Sequence, residues 1–98
     1  LAERGMRFSD VATPSPLCAP ARAALSLGLS YDRCPVKQNR DNLPLDMMTF
    51  YRRLRDSGYH TMGCGKFDLH KGDYSWGDEG KNCLEEWGFS DGVDSEGK

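Results

Sequence analysis

The residues best suited to chemistry fall in two short stretches. Cys18-Ala19-Pro20-Ala21-Arg22 sets a thiol four positions before a guanidinium, and Gly65-Lys66-Phe67-Asp68-Leu69-His70 brings an ammonium and an imidazole. A thiolate is a nucleophile and a metal ligand, Arg and Lys hold anions, and His moves protons near neutral pH. Alone, the Cys and Arg are explained better by a buried structural thiol and a solvated helix arginine than by a site. Their setting distinguishes them, because Pro20 joins them, a Pro-rich loop precedes them, and about forty residues later comes Gly58-Tyr59-His60-Thr61-Met62-Gly63-Cys64-Gly65-Lys66. Only three residues separate Cys18 from Arg22, too few for the phosphate loop of Cys-dependent phosphatases.

The elements that must position these groups can be read from pattern. Residues 1–5 read as the end of a helix closing on Gly5, and residues 6–11 alternate as a short strand. Pro14 and Pro16 make residues 12–16 a loop. Good helix formers predict a helix over residues 19–27 with Pro20 in its tolerated first turn. Cys18 therefore stands at a helix amino terminus, where unpaired N–H groups favour an oxyanion. Polar residues 30–44 read as a connecting loop. Beyond them Asp46 is a cap or first-turn acid for a helix whose apolar face is Met47, Phe50, Tyr51 and Leu54, and Gly58 ends it. Residues 59–64 predict a strand that delivers Lys66 at its carboxyl end, where ligands of open α/β sheets collect. His60, inside that strand, takes a structural role. Residues 72–80 read as loop, and a further short strand is expected around residues 87–89. The fold class is α/β.

Composition narrows the options. The chain has 98 residues, within one small domain, yet it starts at Leu1 and stops in a polar run, so a piece of a longer protein is expected. A net charge of −2 gives no footprint for nucleic acid or an acidic membrane surface, and no apolar run is long enough to span a bilayer. Cys18, Cys34, Cys64 and Cys83 are spread singly, without the paired spacing of a zinc site. Two disulfides with three connectivities remain open, and the redox compartment with them.

Taken together, these stretches resemble the type I sulfatases of the alkaline-phosphatase superfamily. Leu1, Ala2, Gly5 and Phe8 match the stretch that leads into a Thr-Pro loop, here Thr13-Pro14. Cys18, Pro20 and Arg22 match the Cys-x-Pro-x-Arg signature, and Gly28 matches the end of its helix. Thr49, Leu54, Gly58, Tyr59, Thr61, Gly65 and Lys66 match the later Gly-Tyr-x-Thr and Gly-Lys segments, and Trp87-Gly88-Phe89 matches a Gly-Phe segment. Several motifs in the right order cover most of the chain.

The resemblance implies a fragment of the alkaline-phosphatase-like fold, a central β-sheet flanked by helices, with residues 1–98 as part of an N-terminal catalytic domain. It implies hydrolysis of a small-molecule or carbohydrate sulfate ester, after a formylglycine-generating enzyme has oxidised Cys18. One hydroxyl of the hydrated aldehyde, activated by metal, attacks sulfur, and deprotonation of the other expels sulfate. Cys18 would thus be nucleophile precursor and metal ligand, Arg22 would fix the diol, Lys66 would hold sulfate oxygens, and His70 would bind the diol or transfer protons. The cation, Ca2+ or Mg2+, takes hard oxygen ligands from aspartates and an Asp/Asn pair outside these residues. Asp10, Asp41, Asp46, Asp68 and Asp73 are expected at the surface, in caps or in loops. The sequence departs from the family at Ser26-Leu27-Gly28-Leu29, where Leu-Thr-Gly-Arg is common and assists maturation, and at Asp68, where a His is common. Typical members are periplasmic, secreted or lysosomal. Two other readings stand beside this one: a formylglycine-dependent phosphonate monoester or phosphodiester hydrolase, and a non-catalytic module in which Cys18 stays a buried thiol.

Overall fold

The structure, a computed structural model, describes residues 1–71 and 84–95. Its elements are α1 (Cys18–Leu27), α2 (Phe50–Asp56), β1 (Met62–Gly65), α3 (Leu84–Trp87) and β2 (Asp91–Asp94). Helix α1 forms where the alanines predict it. It ends at Gly28, whose φ of 65° is left-handed, and Leu29 N–H returns to the Ala24 carbonyl at 3.1 Å to close the last turn. The small side chains of Ala19, Ala23 and Ala24 form its buried face and join Cys34, Val36, Leu43, Leu69, Leu84, Trp87 and Phe89 in one core. The polar stretch 30–44 contributes to that core through its few apolar residues, and Leu43 N–H bonds the Leu69 carbonyl at 2.7 Å.

Helix α2 starts later than its apolar spacing predicts. Asp46 and Met47 lie in a turn closed by Met47 N–H on the Pro44 carbonyl at 3.2 Å, and Thr49 caps the helix by accepting from Arg52 N–H at 3.1 Å. A short hydroxyl whose backbone is already extended outcompetes the acid three residues upstream. Thr49 is fully buried and its hydroxyl donates to the Trp87 carbonyl, so the cap also anchors α2 to α3. The Arg52 guanidinium donates to the Leu45 carbonyl at 2.7 Å and to the Glu86 carbonyl, and Arg55 donates to the Glu85 carbonyl at 2.6 Å. The arginines thus reach carbonyls of α3, of which that of Glu85 also accepts from Gly88 N–H at 3.0 Å.

Strands β1 and β2 pair in parallel, Met62 opposite Asp91 through Gly65 opposite Asp94. Thr61 opens the ladder: its carbonyl accepts from Ser90 N–H at 2.8 Å and its hydroxyl donates to the Gly88 carbonyl at 2.7 Å. Phe67 and Phe89 lie over Gly63, and Tyr51 stacks on Phe89 at 4.2 Å. Helices beside a parallel pair of strands are consistent with the α/β class.

Several local expectations fail. Residues 1–5 form a turn and residues 6–11 an exposed extended segment, with Met6, Phe8 and Val11 all more than two thirds exposed. Alternation predicts a strand there, but a strand needs a ladder partner, and no described residue supplies one. The strand expected over 59–64 shifts to β1, leaving His60 exposed outside it. The strand expected near 87–89 divides into α3 and β2, because Glu85 and Glu86 begin a helical turn and Gly88, at φ 107°, reverses the chain. The loop expected over 72–80 lies outside the described residues.

Two glycines give a test of this packing. A Cβ on Gly88 would lie 2.2 Å from the Arg52 backbone, whereas one on Gly58, at φ 93°, meets nothing. Gly88→Ala should therefore destabilise the full-length protein by roughly 2–4 kcal/mol and Gly58→Ala by only about 1 kcal/mol, measured by denaturant unfolding.

Candidate functional site

Cys18 is the first residue of α1, half-buried, beside residues that follow β1. The helix carries no side-chain cap of its own. Asn39 provides one from the 30–44 loop: its Oδ1 accepts from Ala19 N–H at 3.1 Å and from the Cys18 thiol at 3.4 Å. Ser15 Oγ accepts from Leu17 N–H at 3.1 Å, which fixes the approach of the Pro-rich loop. The Ala19 amide expected to greet an oxyanion is therefore already bonded, and the charge available to an anion comes from side chains.

Asn39 is held by its neighbours. The Asp41 carboxylate accepts from the backbone N–H groups of Lys37 and Gln38, both at 2.9 Å, closing a tight turn around it. These two bonds, that from Lys37 first, hold the Asp41 carboxyl below its ordinary value of 3.8.

Arg22, one turn after Cys18, reaches across to the end of β1, where its guanidinium donates to the Lys66 carbonyl. Its Nε lies 3.6 Å from Asp68 Oδ2, and Lys66 Nζ lies 3.5 Å from the same oxygen. Lys71 Nζ stands 3.5 Å from Asp68 Oδ1 and 3.4 Å from Cys18 Sγ. Asp68 is thus no surface acid: its side chain is 0% exposed and its backbone, at φ 54°, is left-handed, a conformation Asp tolerates better than most residues. A buried carboxylate needs compensating charge, and three cations supply it. The cluster keeps a net charge of +2 beside Cys18.

Cys18, Arg22 and Lys66 therefore belong to one neighbourhood. His70 is half-buried with its ring edge-on to the Trp87 indole at 5.2 Å between centroids. Asn39 and Lys71 are not among the residues that sequence pattern singles out, and Asp68 is buried where a surface, cap or loop acid is expected. Asn39 sits in a stretch with no periodicity to mark it, although the Asp68–Lys71 spacing of three was a usable signal. Cys18, Cys34 and Cys64 are free thiols, and Cys83 lies outside the described residues.

Among the described residues, no group of three or more His, Cys, Asp or Glu could hold a metal ion. The buried acid near Cys18 is engaged by cations, so these residues fit one corner of a divalent-cation site, at Cys18, and not a whole one. No helix among them is long and apolar enough to cross a membrane.

Comparison with known proteins agrees with the sequence signature. The family model described as Sulfatase matches residues 1–97. An uncharacterized sulfatase of Escherichia coli strain K12, YidJ, is 37% identical over 87 residues, covering 89% of this chain and 17% of that protein. The choline-sulfatase of Rhizobium meliloti is 41% identical over 67% of this chain and 13% of its own length. Human arylsulfatase A is 38% identical over 74% of this chain and 15% of its own length. The chain thus spans between 13% and 17% of these relatives.

The Asn39 brace makes two predictions. Asn39→Ala removes the acceptor for the Ala19 amide and should cost the full-length protein about 1 kcal/mol, read from denaturant midpoints. Because the Asp41 carboxyl is depressed in the folded state, its contribution is complete above the unfolded value of 3.8 and is lost as pH falls below it. Protection of the Lys37 and Gln38 amides from hydrogen exchange should fall across that acid window, and Asp41→Asn should remove the pH dependence.

Proposed function

The chain belongs to the sulfatase family, and from that premise we propose that its parent protein is a sulfuric ester hydrolase whose nucleophile derives from Cys18. The observation that carries the reading is the meeting of Cys18, Arg22 and Lys66 where the start of α1 faces the end of β1. The alkaline-phosphatase-like fold expected of the family accords with helices packed on a parallel pair of strands.

In this reading Cys18 is oxidised to formylglycine, whose hydrate offers one hydroxyl for attack on sulfur and a second whose deprotonation expels sulfate. A simple Ser or Cys nucleophile lacks that exit. Arg22, fixed by the Lys66 carbonyl, holds the oxygen at position 18 and balances its charge. Lys66, about one third exposed, extends to the sulfate oxygens and stabilises charge that grows in the transition state. Asn39 orients the side chain at position 18 by accepting a hydrogen bond from it. His70 takes the diol-binding or proton-transfer role. A divalent cation, Ca2+ or Mg2+, would add positive charge at the attacking oxygen, with the residue derived from Cys18 as one of its ligands. The substrate is a small-molecule or carbohydrate sulfate ester, and a formylglycine-generating enzyme is the partner in maturation.

The full-length protein from a host with the modifying enzyme should weigh about 18 Da less than its sequence requires at Cys18. It should hydrolyse an aryl sulfate in preference to phosphonate monoesters and phosphodiesters. Cys18→Ala should abolish turnover, and Lys66→Ala should lower kcat/KM by about a hundredfold. An intact thiol at position 18 together with no esterase activity would leave the non-catalytic reading in its place. Faster turnover of phosphonates would favour that class of hydrolase.

A further inference from the structure

Position 68 departs from the sulfatase pattern in the residue that it carries, and the chemistry of the replacement matters. A His can donate a hydrogen bond to the side chain at position 18, whereas an ionised carboxylate only accepts. Asp68 therefore cannot do the same task in the same way. Its surroundings indicate a different one. The side chain is wholly buried, and Arg22 from α1, Lys66 from the end of β1 and Lys71 from the following turn converge on its two oxygens at 3.5–3.6 Å. Cations brought this close repel one another unless a counter-charge stands between them.

Lys71 shows what the convergence achieves. Its Nζ bridges Asp68 Oδ1, at 3.5 Å, and Cys18 Sγ, at 3.4 Å. An ammonium has three donors, so one contact does not exclude the other. We propose that Asp68 is a positioning residue that gathers Arg22, Lys66 and Lys71 into one cationic cradle, and that Lys71 thereby donates directly to the reacting side chain at position 18. The inference rests on the sulfatase reading and deepens it. Lys71 joins Arg22 in stabilising negative charge on the atom bonded at that position, and Lys66 faces the ester. The carboxylate also limits the cradle to a net +2, enough for an anion whose charge grows as the ester bond breaks.

A merely structural Asp68 would be a buried counter-ion whose loss lowers stability and leaves turnover of the surviving folded protein unchanged. The two roles separate in the steady-state kinetics of the full-length, formylglycine-containing protein on 4-nitrophenyl sulfate. Lys71 is 23% exposed in its side chain, so Lys71→Met should fold. It should lower kcat roughly a hundredfold, the usual cost of removing one charge-stabilising donor, with KM changed less than about threefold. Lys71→Arg should recover about a tenth of the parent kcat or more, since it restores charge and donors. Asp68→Asn should lower kcat similarly, and adding Lys71→Met to it should cost less than about threefold more, because both act through one contact. A kcat for Lys71→Met within about threefold of the parent overturns the proposal, as does full additivity in the double variant. If Asp68→Asn does not fold, the Lys71→Met and Lys71→Arg pair decides alone. A parent inert to sulfate esters but active on phosphonates or phosphodiesters sinks the sulfatase reading only, and the same variants are then read on that turnover.

Discussion

One buried carboxylate organises the centre of this structure. Asp68 has no access to solvent, and an isolated ionised acid in that position would be costly enough to unfold the region around it. The cost is offset because three separate segments each bring a cation to it. Attraction to Asp68 is therefore also attraction of α1, the end of β1 and the turn after it to one another. The neighbourhood of Cys18 is assembled by charge, on a platform built by packing.

That platform depends on close approaches. Small side chains on α1 admit the core residues to its backbone, and Gly63 and Gly92 face each other where a Cβ on either would collide with its surroundings. Thr49 does two tasks with one hydroxyl, capping α2 and holding the Trp87 carbonyl, while Arg52 and Arg55 bind the carbonyls of α3. The start of α1, the start of α2 and the carbonyls of α3 are each tied to another element, while α1 and α2 close their carboxyl ends with their own backbone.

Much of this was legible in the sequence, and the rest was hidden for physical reasons. Helix α1 was predictable because alanine propensity, Pro20 and Gly28 all agree, and the meeting of Cys18 with Arg22 follows from one helical turn. Lys66 was predictable as a residue at a strand end. The start of α2 was misread because apolar spacing takes no account of a cap, and Thr49 competes with Asp46 only through backbone geometry. Residues 6–11 alternate like a strand, but pairing is a property of partners and not of the segment. Asp68 lies in a loop, as one of its expected settings, but its burial is hidden from the sequence because it is decided by cations that come from α1 and from both sides along the chain. Asn39 gave no signal, since its role depends on where a loop folds back.

The turn that holds Asn39 has a consequence for how this chain can vary. Loops normally tolerate inserted or deleted residues, because little depends on their exact path. Here two backbone amides are fixed on Asp41 and one amide oxygen is fixed on the first turn of α1, so the segment from Lys37 to Asp41 works as a strut of set length. A change in length within it would be felt at Cys18, because buried Val36 and Leu43 fix where the strut begins and ends. The least patterned stretch of the sequence therefore contains one of its least permissive intervals.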